Sequence, residues 1–199
     1  MGGIELRDDT LVVDREPNEL DKLAIRFSGI LDDVGVEHVF VSGYVAILTG
    51  RSRATQDIDV LLERVDSQTI DRLIERLEDE GMWGPAMPLH RMDELLEDNI
   101  WVARDGEMVP HLEVKFVDDE YDRISLENSI TARIGDAAEV PVGPIELGIA
   151  YKLYLGTRTD FEDATHLYLT FEETLSTPQL ETYVRKLDVE EEYERLKRT

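Results

Sequence analysis

Val41-Ser42-Gly43-Tyr44-Val45-Ala46-Ile47-Leu48-Thr49-Gly50-Arg51-Ser52-Arg53-Ala54-Thr55-Gln56-Asp57-Ile58-Asp59-Val60-Leu61-Leu62 joins a small-residue turn to a strand carrying two carboxylates. Strand side chains alternate between faces. Asp57 and Asp59 therefore point one way, while Ile58, Val60 and Leu62 point into a core. Two carboxylates about 7 Å apart along one strand face can grip a divalent cation, or a pair of them. The Ser42-Gly43 turn can offer backbone N–H groups to a phosphate. Metal beside phosphate is the machinery of phosphoryl and nucleotidyl transfer.

Outward from this stretch the elements alternate. Leu20, Leu23, Ala24, Phe27, Ile30, Leu31 and Val34 recur at helical spacing, with Asn18 as N-cap and Gly35 as stop. His38 to Val41 reads as a strand and Tyr44 to Leu48 as a short helix; Asp57 to Glu63 is the second strand. Ser67 to Glu80 is an amphipathic helix ending at Gly81. Ile100 to Val117 reads as a hairpin turning at Asp105-Gly106. Leu11-Val12-Val13 reads as an edge strand or a mobile arm. From Pro144 the pattern turns helical, over 145–157, 159–171 and 178–187. The order predicts an α/β (α+β) class: a small mixed sheet with flanking helices over residues 1–143, and a helical C-terminal subdomain over 144–199 packed on it.

The central stretch resembles the core of the nucleotidyltransferase superfamily. That pattern is a hydrophobic strand, a Gly-Gly or Gly-Ser pair, a short helix, a glycine, then Arg-x-Thr-x-Asp-x-Asp on a second strand. Gly50, Arg53, Thr55, Asp57 and Asp59 fit it; Ser42-Gly43 holds the small pair in reversed order. The resemblance implies that Asp57 and Asp59 bind Mg²⁺ or Mn²⁺ and that a nucleoside triphosphate is the substrate. It implies that Ser42, Gly43, Arg53 and Thr55 serve nucleotide binding. It also implies a third carboxylate from a neighbouring strand, which helps deprotonate the attacking hydroxyl. Glu113, in His111-Leu112-Glu113-Val114-Lys115-Phe116-Val117, stands where that residue belongs, and Lys115 shares its face and could hold it ionised. Asp118 and Asp119, at the strand's end, are rival candidates. The run from Lys152 through Arg158, Asp160 and Asp163 to His166 is similar to a helical stretch of toxin–antitoxin and abortive-infection nucleotidyltransferases. There the Lys lies near the nucleotide, which makes Lys152 a further phosphate-binding candidate. An ordinary pair of amphipathic helices laced with ion pairs reads equally well here.

Charge bounds the partners. The chain of 199 residues carries 45 acidic against 21 basic residues, a net charge of −24. Only five of the basic residues are Lys, and acid is spread along the whole length. This composition resembles that of proteins from salt-loving organisms. Self-repulsion of this size destabilises the compact state in dilute buffer, and at 1 M salt a Debye length of about 3 Å screens it. Nucleic acid is disfavoured as a partner, though less firmly if the acid is an adaptation to salt. There is no cysteine, so no disulfide framework and no zinc–thiolate site. No apolar run of membrane length and no signal-peptide pattern occur, which predicts a cytoplasmic protein without a membrane partner. The acceptor is not legible, and a homodimer or a toxin–antitoxin partner fits the resemblance. Three readings remain open: a nucleotidyltransferase, a catalytically inert nucleotide-binding or antitoxin-like regulatory module of the same fold, and a mere halophilic cation site.

Overall fold

The computed structural model describes residues 3–7, 9–136 and 138–199. Nine described strands form one mixed sheet. In chain order they are β1 (Ile4–Arg7), β2 (Thr10–Val13), β3 (His38–Val41), β4 (Asp57–Leu62), β5 (Met82–Trp83), β6 (Ile100–Arg104), β7 (His111–Phe116), β8 (Ile130–Ile134) and β9 (Ala138–Val142). Their spatial order is β1-β2-β8-β9-β3-β4-β7-β6-β5. The α/β class expected from the strand and helix order is the class observed. The helices are α1 (Glu19–Val34), α2 (Gly43–Leu48), α3 (Ser67–Asp79), α4 (Met92–Leu95), α5 (Glu120–Glu127), α6 (Ile145–Leu155), α7 (Arg158–Phe171), α8 (Thr177–Lys186) and α9 (Glu190–Leu196).

Local chemistry explains the elements that carry the centre. α1 starts at a capping box: Asn18 accepts from the Asp21 N–H, and the Asp21 carboxylate accepts from the Asn18 N–H. It stops at Gly35, whose φ of 75° is left-handed. β4 buries Ile58, Val60 and Leu62, as strand alternation requires, and this leaves Asp57 and Asp59 on the other face. β3 runs antiparallel to β4 and β7 runs parallel to it. The parallel pairing needs a long crossover, and the α3–β6 segment supplies it.

One expectation needs correction. Leu11-Val12-Val13 is neither an edge nor an arm, because β2 lies between β1 and β8. Leu11 and Val13 are fully buried there, so apolar burial claims the strand for the interior. The β6–β7 connection does turn at Asp105-Gly106, where the Glu107 N–H donates to the Arg104 carbonyl at 2.9 Å, but it is not a two-residue hairpin. The strands end at Arg104 and resume at His111, leaving a six-residue connection. Gly106 does take the left-handed φ of a turn, at 77°, but Pro110 directly before β7 cannot donate to a ladder.

Candidate active site

The parallel register of β4 and β7 sets the geometry. Asp57 lies beside His111, Asp59 beside Glu113, and Leu61 beside Lys115. Paired residues on neighbouring strands share a face. The carboxylates of Asp57, Asp59 and Glu113 therefore stand on one side of the sheet. No Lys or Arg of the described residues forms an ion pair with any of the three.

Their environments differ. Burial alone would raise the Asp57 carboxyl. The Thr55 hydroxyl, donating to Asp57 Oδ1 at 2.7 Å, and nearby backbone N–H groups outweigh it, so Asp57 titrates below its ordinary value. Asp59 is pushed up to about 6, first by burial and then by the charges of Asp57 and Glu113. The Ser42 hydroxyl and Lys152 pull the other way without reversing it. The shift reflects burial together with negative charge crowded here that no Lys or Arg of the described residues pairs.

The turn before α2 is tightly built. Ser42 adopts φ 61° and ψ −130°, a conformation that glycine favours and a β-carbon resists. Gly43 admits a close approach: a β-carbon there would meet Arg53 Nη2 at 2.0 Å and push the guanidinium aside. The Arg53 guanidinium thus lies directly over the turn. From its other side Arg53 Nε stands 3.3 Å from Asp163 Oδ2. Asp163 is wholly buried and also meets Lys152 Nζ at 3.0 Å and Arg51 Nε at 3.3 Å. One carboxylate of α7 therefore fixes three cations, two of them the phosphate-binding candidates Arg53 and Lys152. Lys152 also reaches Asp160 at 3.4 Å.

Among the described residues, only two buried side-chain N or O atoms lack a hydrogen-bond partner: Arg53 Nε and His111 Nε2. Both belong to this site. The His111 Nδ1–H donates to the Met108 carbonyl at 3.2 Å, its ring stacks on Trp101 at 4.2 Å, and Nε2 lies 3.5 Å from Glu113 Oε1. Buried polar groups without a hydrogen bond are rare in folded proteins, and here each lies beside a carboxylate, Arg53 Nε near Asp163 and His111 Nε2 near Glu113.

The other sequence candidates fall elsewhere. Lys115 does not hold Glu113: its ammonium pairs with Asp122 at 2.8 Å. Asp119 caps α5, accepting from the Asp122 N–H, and Asp118 is exposed 3.9 Å from an Arg64 nitrogen. Neither rival carboxylate stands on the strand face. Thr157 caps α7, accepting from the Asp160 N–H. Sequence reading missed Asp163 as the hub of the cations, because Arg51 and Arg53 meet it only through tertiary folding. The one local signal was Lys152, eleven residues before Asp163 across a helix–helix turn.

The donor set suits a hard divalent cation, since all three groups are carboxylate oxygens without a cationic partner. Among the described residues, however, no three such groups stand close enough to close a metal site as they are oriented.

Comparison with solved structures bears on the fold. The chain matches a nucleotidyltransferase-like antigenic protein from Paracoccidioides brasiliensis with a TM-score of 0.56 at 18% identity, covering 86% of this chain and 88% of that one. The fold is nucleotidyltransferase-like. A lincosamide antibiotic adenylyltransferase, LnuA, solved with lincomycin bound, matches with a TM-score of 0.46 at 18% identity, covering 77% of this chain and 98% of that one. No protein-family model and no curated protein matches the sequence. Within this nucleotidyltransferase-like fold, no described helix is long and apolar enough to cross a membrane.

Proposed function

We propose that the protein is a metal-dependent nucleotidyltransferase. It moves a nucleoside monophosphate from a nucleoside triphosphate to the hydroxyl of an acceptor. The observation carrying this reading is the Asp59–Glu113 register beside Asp57, with Asp59 raised to about 6 by burial and by its carboxylate neighbours. Asp57, Asp59 and Glu113 would hold Mg²⁺ or Mn²⁺. Such a cation, when bound, would lower the pKa of a hydroxyl and neutralise charge on a departing pyrophosphate.

The chain's own groups have distinct tasks. Thr55 holds one oxygen of Asp57 and so orients the carboxylate. Arg53 and Lys152, steadied by Asp163, present positive charge beside the Ser42-Gly43 turn, where the phosphates would lie. Glu113 receives the proton of the acceptor hydroxyl. The hydroxyl oxygen bonds to the α-phosphorus, the bond from that phosphorus to the bridging oxygen breaks, and pyrophosphate leaves with the electron pair.

The inert reading, a nucleotide-binding or antitoxin-like regulatory module, is favoured by one observation: the three carboxylates do not converge as they are oriented. One experiment separates the two. Labelled ATP, GTP, CTP and UTP are incubated with the protein, Mg²⁺ and cell extract in molar KCl. Asp57→Asn with Asp59→Asn abolishes Mg²⁺-dependent triphosphate binding. Glu113→Gln keeps most of that binding and lowers turnover by roughly 10²–10⁴-fold. Binding without pyrophosphate release under every condition supports the inert module, and undiminished binding in the double variant refutes the site.

A further inference from the structure

The carboxylate face does not end at Asp59. Two residues further along β4, Leu61 opens onto a slot roofed by α5 and α6, with Ser42 and Lys152 at their common border. Its walls are overwhelmingly apolar; Val41, Val45, Ile145, Leu147 and Leu155 contribute. Tyr121 and Tyr151 face each other across it with ring centroids 6.0 Å apart, and Tyr154 follows at 5.8 Å from Tyr151. Tyr154 and Leu155 are 57% and 46% exposed. The enclosed part measures about 90 Å³. An apolar cavity of roughly 150 Å³ takes benzene, so this smaller, open-mouthed slot takes a short branched chain or the edge of one ring, with the remainder of a ligand outside.

Gly148 is the telling residue. It is the fourth residue of α6, in ordinary helical conformation, and it lines the slot. A β-carbon built on it would meet nothing within 4 Å. No close packing therefore demands glycine, although glycine is a poor helix former. What its lack of a side chain preserves is the empty volume.

The charges at the slot are already committed. Lys152 pairs with Asp160 and Asp163, and Asp122 pairs with Lys115. The Tyr121 hydroxyl donates to the Lys186 carbonyl. Apart from Lys152, at its border with the phosphate turn, the slot offers no counter-charge to a charged ligand. A nucleobase would bring several ring nitrogens and exocyclic groups to walls whose polar groups are few, chiefly the Ser125 and Tyr151 hydroxyls, which favours a less polar ligand.

We infer that the slot is the acceptor subsite and takes the uncharged, largely apolar body of a small hydroxyl compound, whose hydroxyl reaches back toward Asp59 and Glu113. This rests on the nucleotidyltransferase reading above for the word acceptor; the slot as a ligand site stands on Gly148 and its lining.

The probe is 4-fluorobenzyl alcohol, followed by fluorine NMR line broadening, with Mg²⁺·ATP binding measured separately by calorimetry. The wild-type protein broadens the signal, and saturating ATP does not displace the alcohol. Gly148→Leu abolishes the broadening and Gly148→Ala weakens it, while both keep an unchanged or raised Tm and ATP affinity within twofold. Undiminished broadening in Gly148→Leu overturns the slot. Displacement of the alcohol by ATP, with ATP affinity at least tenfold weaker in Gly148→Leu, overturns the acceptor assignment and gives the slot to the base. The alcohol measurement needs no nucleotide, so absence of ATP binding by the wild type counts against the nucleotidyltransferase reading alone.

Discussion

Asp163 and Asp59 are carboxylates of one protein, on two elements that both pack against α2, set in opposite electrostatic surroundings. Asp163 is wholly buried and meets three cations, Lys152 at 3.0 Å and Arg51 and Arg53 at 3.3 Å. Asp59 has two carboxylates as its near neighbours and is pushed up to about 6. The first arrangement completes itself within the chain. The second leaves negative charge for something outside the chain to neutralise. An acid cluster alone says little in a protein with 45 acidic residues; what separates a structural carboxylate from a candidate ligand-binding one is whether the fold supplies its counter-charge. Asp21 makes the same point on the structural side. It is wholly buried, pairs with Arg15, and accepts from the Tyr44 hydroxyl at 3.1 Å and the Asn18 N–H at 2.8 Å.

The comparison breaks most readily at Asp163. Asp163→Asn keeps the shape and removes the charge, leaving Lys152, 3% exposed, without a full counter-ion. Removing one partner of a buried pair costs about 3–5 kcal/mol. Urea unfolding at pH 7 in molar KCl checks this, alongside Asp57→Asn, whose expected effect is near zero because no cation is left unpaired. Equal losses in the two variants would erase the distinction drawn between the clusters.

How far this contrast was legible in the sequence depends on range. The face shared by Asp57 and Asp59 follows from strand alternation alone, and the Asn18 and Gly35 boundaries of α1 follow from cap chemistry acting within four residues. Glu113 beside Asp59 was readable as a strand face but not as a register, since register depends on which residues a parallel crossover brings together. Lys115 went to Asp122, seven residues on, because α5 folds back against β3 and β4, and hairpin periodicity carries no sign of that. The Asp163 hub joins residues more than 100 positions apart, and the slot exists only between packed helices. Local chemistry writes elements and faces; counter-ions and cavities arise from tertiary packing.

A second test sharpens the contrast through pH. Asp59 titrates at about 6 in the folded chain, above the ~3.9 of an unfolded Asp. The folded state therefore holds a proton that the unfolded state has released across the interval between. The stability this group contributes is fully present below about pH 4 and is lost as pH rises to 6, a change of up to ~3 kcal/mol. Other carboxylates slope the opposite way where their values are lowered, so the informative quantity is the difference between wild type and Asp59→Asn. With chelator present, that difference should swing in favour of the variant between pH 4 and 6 and stay level above. A constant difference over the interval would mean that neither burial nor the charges of Asp57 and Glu113 act on Asp59 as its position requires.

The smallest effect belongs to Ser42, where the site's electrostatics meet its backbone. Among the described residues only Ser42 and Asp188 take positive φ without being glycine. At φ 61° and ψ −130°, Ser42 occupies a region that costs a side-chain-bearing residue of order 1–3 kcal/mol. Ser42→Gly relieves that strain but adds freedom to the unfolded chain, worth about 0.4–1 kcal/mol against it. A net gain near 1 kcal/mol is expected in urea unfolding at pH 8, where Asp59 is ionised in both proteins. The same change removes the hydroxyl that lowers Asp59. The variant should therefore lose more stability than wild type between pH 4 and 8, and bind Mg²⁺·ATP less tightly despite its sounder backbone. Were Ser42→Gly both more stable and equally good at binding, the serine would have no role in the site, and its strained conformation would follow from the turn alone.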